Sequence, residues 1–475
     1  MLMKIKGYIA TALLAITFSA TAAEQPFIEA VKHGDLDAVM KLLDNGVDVD
    51  QPAADGTTAL THAAYRNDLT MLELLLFKGE ARVGIANDYG ATALYVAAAR
   101  ADTDLVERLL RAGADPDASL LSGETPLMVA SNRGRLEVAK LLLEHGADPN
   151  AKETSGGQTA LMWAAAEQHP EVVDVLMQHK ADVNERSNTE FTALMFAARE
   201  GNAFVAEQLI KGGARVNDSI GKSGLTPLMI AGIGGFEDLA SVLLDNGANA
   251  DAIDKNGKAV LHHAVTYTPS AAIVRELLAR GAKPDIRLQS PKPYGGDRID
   301  PQGATPLLVA AGLNNLQAVT ALLEAGADPG IPTAQNTTAL MMAAGADVGI
   351  AAAVSDAGSA KATQIARLLL DLDLDVNAAG QYGWTALHSA AYHGRNEIIK
   401  ELVARGANVE TLDSFGQTPL SICHAIVTEG LGDDYAHTPR TYRRETAELL
   451  LSLGATPLEK SGVKIVTARA SGSSN

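Results

Sequence analysis

Residues Ser122 to Asn150 read SGETPLMVASNRGRLEVAKLLLEHGADPN, and this stretch decides the fold. Gly123 permits a tight turn. Thr125 stands where a hydroxyl caps the start of a helix, and Pro126 follows at the first helical position, where its missing N–H costs nothing. Leu127, Val129 and Ala130 form one apolar stripe, with Ala130 small enough for a second helix backbone to approach. Arg133 and Gly134 end this helix. Leu136 to Leu143 form another, apolar enough to face neighbours on both sides. Gly146 stops it in the left-handed conformation, and Ala147-Asp148-Pro149-Asn150 lead out as an extended finger.

The phrase then returns about every 33 or 34 residues: at Thr58, Thr92, Thr125, Thr159, Thr192 and Thr226, in degenerate form at Ala259, and again at Thr305, Thr338, Thr385 and Thr418. The Gly-Ala stop returns with it, as at Gly113-Ala114, Gly146-Ala147, Gly247-Ala248, Gly326-Ala327 and Gly406-Ala407. Self-similarity at this period means stacked small units, none able to bury its apolar face alone. Aromatic content of only 4% fits short, closely packed helices and disfavours a large sandwich or barrel.

The repeat resembles the ankyrin repeat, whose T-P-L-H-x-A signature stands here as T-A-L-H-S-A at Thr385 to Ala390. The resemblance implies an all-α solenoid. Each unit would be a β-hairpin finger followed by two antiparallel helices, and the array would be elongated and curved. It covers residues 24–460 in about twelve units. The first, Glu24 to Asp50, lacks the Thr-Pro-Leu turn and reads as a cap. Insertions interrupt the pattern near 286–300, 349–362 and 428–443. The tail 461–475 is polar, rich in small residues and expected to be disordered.

The N-terminus is a separate matter. Lys4 and Lys6 precede an apolar run from Gly7 to Ala20, and the small residues Ala20 to Ala23 follow. Residues 1–23 therefore read as a secretory signal peptide, too short to span a membrane. The expected location is the periplasm of a Gram-negative bacterium, with secretion as the alternative. Losing Lys4 and Lys6 would take the formal charge from −18 to −20. That acidity argues against nucleic acid and anionic membranes as partners. Cys423, the single cysteine, allows no intrachain disulfide and reads as a small buried hydrophobe.

No Gly-x-Ser-x-Gly, His-Glu-x-x-His or phosphate-binding glycine loop is present, so no enzyme is indicated. The resemblance places partners on the concave side, against the residue before each Thr and the pair seven and eight after it. There the chain holds Arg66, Arg100 and Arg133, followed by Glu167 and Glu200. Arginine forks suit carboxylates and phosphates, whereas local ion pairing would make the row merely a solvated face. Aromatics gather at fingers and inner helices: Tyr65, Tyr89, Phe191, Tyr267, Tyr382, Trp384, Tyr392 and Phe415. The set Tyr382, Trp384, Tyr392, His393 and Phe415 spans two adjacent copies and is the strongest candidate contact surface. Met128, Met162, Met195, Met229 and Met341 occupy the slot of the signature histidine and read as core fillers rather than a Cu(I) row. His62, His262 and His388 are assigned to the structural histidine slot.

The expectation is a monomeric, non-catalytic module without cofactor or metal that holds a protein partner in its concave groove. Two other readings stay open: a copper or peroxide-stress factor binding a small ligand or metal, and an effector secreted into a host.

Overall fold

The computed structural model describes residues 26–268, 271–289, 302–346, 356–424 and 442–460. Residues 1–23, read above as a signal peptide, the tail 461–475 and most of the three insertions lie outside the described residues. Among the described residues, α-helices alternate as inner and outer members of successive pairs, from Pro26–His33 and Leu36–Asp44 to Pro419–Cys423 and Arg444–Ser452. The chain forms two compact units, residues 1–196 with 211–213, and residues 197–210 with 214–475.

In the first unit the quoted copy folds as its residues dictate. The Thr125 hydroxyl accepts from the Met128 N–H at 3.2 Å, so Pro126–Asn132 starts capped. Gly134 (φ 64°) and Gly146 (φ 91°) close the inner and outer helices in the left-handed region. Leu60, Leu94, Leu127 and Leu161 recur at the same inner position, and Leu75, Leu109, Leu142 and Leu176 on the outer helices, all essentially fully buried. Burying each such side chain contributes about 1.5–3 kcal/mol. Ala63, Ala97, Ala130 and Ala164 are fully buried where consecutive inner helices meet, and a larger side chain there would force them apart.

The second unit repeats this with Leu228, Leu261, Leu307, Leu340, Leu387 and Leu420. Cys423 fills the small alanine slot, wholly buried, and burial pushes its thiol up to about 12. The outer helix Asp356–Leu370 has 15 residues where its counterparts have about nine, so the C-terminal part of the second insertion is helical.

The fingers are turns rather than strands. Among the described residues a single antiparallel bridge occurs, between Ile253 and Ala259. Within each unit, successive fingers among the described residues are joined by a backbone bond. In the first unit the N–H of Asp88 donates to the Asp55 carbonyl (3.1 Å), Leu121 to Tyr89 (3.0 Å), Thr154 to Ser122 (2.8 Å) and Asn188 to Gly156 (2.7 Å). In the second, Lys255 donates to Ser223 (2.9 Å), Gln289 to Gly257 (2.9 Å), Ala334 to Gln302 (2.8 Å), Gln381 to Gln335 (2.9 Å) and Ser414 to Tyr382 (2.7 Å).

A side-chain ladder runs along the finger bases. Asn150 accepts from the Asp182 N–H at 2.7 Å and donates to the Lys180 carbonyl at 3.3 Å. Asn217 does the same with Asn249 and Gly247, and Asn377 with Asn408 and Gly406.

Candidate protein-binding surface

In the second unit the chain brings five of the expected site residues together. Trp384 precedes Thr385, and its indole Nε1 donates to Asp413 Oδ2 at 3.2 Å. Asp413 is itself buried and accepts the N–H groups of Phe415 (2.9 Å) and Gln417 (2.8 Å), so the indole is held on a fixed carboxylate. The Trp384 ring lies 5.8 Å from Tyr392 and 6.2 Å from His388, and Tyr392 meets His393 edge-on at 4.9 Å. Tyr382 lies 5.5 Å from Phe415 across the bond that joins their fingers. Tyr382 is 41% exposed and adopts φ 61°, a conformation that costs a bulky residue energy. The Arg443 Nε donates to the Tyr392 carbonyl at 2.6 Å, tying down the end of this inner helix. The result is a half-buried aromatic floor with an exposed rim.

The other expected residues are distributed. In the first unit the Arg100 guanidinium sits 5.0 Å over the exposed Tyr65 ring. Arg66 donates to the Lys32 carbonyl at 2.6 Å, at the end of Pro26–His33, so part of its capacity is structural. Arg133 is exposed, and Tyr95 beside it donates to Glu124 at 3.1 Å. Burial raises the Glu124 carboxyl above the usual carboxylate range, and the Tyr95 bond only partly offsets this. Tyr89 is 59% exposed on its fingertip. Phe191 is half-buried against Phe196 at 5.4 Å, which makes it a finger support. In the second unit Tyr267 stacks at 6.2 Å on His263, whose Nε2 meets Asp254 at 3.1 Å. Burial raises the Asp254 carboxyl, but His263 and the Lys258 and Asn256 N–H groups outweigh this and hold it low.

One assignment is corrected. His62 lies four residues after Thr58, one past the histidine slot, which Thr61 holds with its hydroxyl 3.2 Å from the Thr58 hydroxyl. His262 and His388 do occupy the slot. The Ala259 N–H donates to His262 Nδ1 and the Thr385 N–H to His388 Nδ1, both at 3.2 Å. Their Nε2 atoms donate onward to the Ala304 and Gln417 carbonyls. The slot's methionines are buried, and the sulfurs of Met128 and Met341 accept from Thr125 and Thr338 at 3.5 Å, a weaker copy of the same bond.

Sequence reasoning missed Leu121, 77% exposed beside Tyr89, and Leu412, 58% exposed near Phe415; nothing in the repeat pattern separates a tip leucine from a packed one. It also missed a set of staples in which a side chain reaches the end of the preceding inner helix. His169 meets the Asn132 carbonyl at 3.0 Å, and Arg395 donates to the Ala343 carbonyl at 2.5 Å.

Comparison with protein-family models agrees with the repeat architecture. The family model described as "Ankyrin repeats (3 copies)" matches residues 27–120, 95–187, 127–220, 194–288 and 350–459, and "Ankyrin repeat" matches 302–334. Ankyrin repeat and SOCS box protein 3 of Bos taurus is 31% identical over 181 residues, 38% of this chain and 30% of that protein. Ankyrin repeat and SOCS box protein 16 of Homo sapiens is 32% identical over 222 residues, 41% of this chain and 46% of that protein. The chain thus spans less than half the length of these curated relatives. The crystallised ankyrin repeat domain of Bcl-3 is 29% identical with a TM-score of 0.41, covering 44% of this chain and 94% of that one. With family matches in register along most of its described length, the chain belongs to the ankyrin repeat family.

Proposed function

We propose that this chain is a non-catalytic scaffold that grips an exported protein through its inner helices and fingers, with the Tyr382, Trp384, Tyr392, His393 and Phe415 surface as the principal grip. The ankyrin repeat is a protein-interaction module, which supplies the general role. The observation that carries the particular reading is the aromatic floor. An indole and two neighbouring rings are fixed by Asp413 and Arg443 yet left with an exposed rim, and rigid, amphipathic rings are what binding hot spots use. The basic start, apolar run and small residues of 1–23 support export, and with it a periplasmic site of action.

The test is capture of partners from a native periplasmic extract, comparing the full chain with Trp384→Ala/Tyr392→Ala. Loss of two hot-spot rings should weaken retention by about 100-fold or more, with the helical circular dichroism unchanged. Undiminished capture by the double variant would remove this surface from the reading.

A further inference from the structure

The inner helices Ala59–Arg66 and Ala93–Arg100 of the first unit end in arginine, and Pro126–Asn132 is followed by one. In this acidic chain several other cations are held by carboxylates: Lys78 by Asp44, Arg82 by Asp50, Arg108 by Glu73, Arg111 by Glu107, Lys140 by Glu137 and Lys152 by Glu185. Arg66, Arg100 and Arg133 are exposed, and among the described residues none has a carboxylate within ion-pair distance. The helix dipole favours a cation at these ends, but it accounts for one that points at carbonyls. Arg66 does so through the Lys32 carbonyl, whereas Arg100 lies over the Tyr65 ring. Glu124, on the Arg133 copy, is taken by Tyr95. The next inner helix, Ala160–Ala166, is followed by exposed Glu167.

We propose that this row seats an acidic polypeptide segment lying extended across the inner helices of the first unit. The inference rests on the protein-binding reading above but uses a different surface. Packed helices stand about 8–10 Å apart, and a chain in the extended polyproline-II conformation advances about 3.1 Å per residue with three residues per turn, so every third side chain returns to the same face and meets the next arginine. The fitting segment carries carboxylates at its first, fourth and seventh residues and, at the tenth, a lysine or arginine for Glu167, or the same order reversed. Tyr65 offers an exposed ring alongside. The overall negative charge does not forbid this, because screening over about 8 Å at physiological salt leaves the local row in control.

The experiment measures binding of fluorescein-labelled synthetic decapeptides to the full chain by anisotropy. One peptide has glutamate at the first, fourth and seventh positions and lysine at the tenth, with threonine and serine between; another has the same composition with the glutamates adjacent. The spaced peptide should bind at least about tenfold tighter than the clustered one and weaken as salt rises. Arg100→Glu/Arg133→Glu should cut its affinity at least about tenfold, since like charges would then face each other, with circular dichroism unchanged. Trp384→Ala/Tyr392→Ala should bind it as the parent does, which separates failure of this inference from failure of the aromatic grip. Equal binding of both peptides, no effect of the charge reversals, or no binding up to about 1 mM would overturn the proposal. So would tighter binding of a ten-nucleotide oligothymidylate, which would make the row a general polyanion site.

Discussion

At the residue scale, the signature slot shows how one position links two copies. In His262 both ring nitrogens are used: Nδ1 accepts from the Ala259 N–H, and Nε2 donates to the Ala304 carbonyl. Only the neutral ring can do this, since a proton on Nδ1 would point at another N–H. Burial pushes its pKa from 6.5 to about 4, against a smaller raising effect of the Ala304 carbonyl. The folded state therefore binds fewer protons than the unfolded chain between those values. Stability should fall as pH drops from about 6.5 towards 4, by about 3 kcal/mol in all, and level off below. Urea unfolding of the parent and His262→Met across this range should show that slope shrink in the variant. At pH 7 the variant should be about 1 kcal/mol weaker for the lost inter-copy bond; an unaltered slope would refute the assignment. Methionine in this slot closes its own turn through sulfur but has no second polar atom to reach the next copy.

At the element scale, several rungs of the finger-base ladder are carboxylates instead of amides, at Asp50, Asp117, Asp251 and Asp285. Asp117 accepts from the Asp148 N–H at 2.9 Å, as Asn150 accepts from Asp182, but a carboxylate has no N–H to donate to the next carbonyl. Burial raises its pKa, and repulsion from Asp115 and Asp148 adds to this although the Asp148 N–H opposes it. The contribution is thus fullest at low pH and is lost as pH rises through the folded-state value. Asp117→Asn should supply the missing donor and stabilise the protein by about 0.5–1.5 kcal/mol at pH 7, read as a shift in the urea midpoint. The repeated copies, the Thr caps, the Gly stops and the inward leucines were all legible in the sequence, because each is dictated within one copy. The sequence also located the aromatic cluster through its positions relative to Thr385 and Thr418. The His169 and Arg395 staples were not legible, because they depend on which way a side chain turns between copies. His62 was misread by one register, and a helix turns about 100° per residue.

At the scale of the whole molecule, helix pairs within each unit pack on their immediate neighbours. Damage should therefore spread by adjacency rather than all at once. Leu142→Ala empties a fully buried site and should cost about 2–5 kcal/mol. Native-state hydrogen exchange should speed up in Pro126–Asn132, Leu136–Glu144 and the flanking copies. Protection three copies away in the second unit should stay near parent values; a uniform loss throughout would show a single cooperative block instead. The lone amide bond at each finger joint has a further consequence for how such a chain can change its length. Within a run of joined fingers each finger presents one donor to the preceding copy and one acceptor to the next, so a copy duplicated or excised there leaves both new neighbours with a matching peptide group. Growth by whole copies strands no polar atom, whereas gain or loss of a fraction of a copy does.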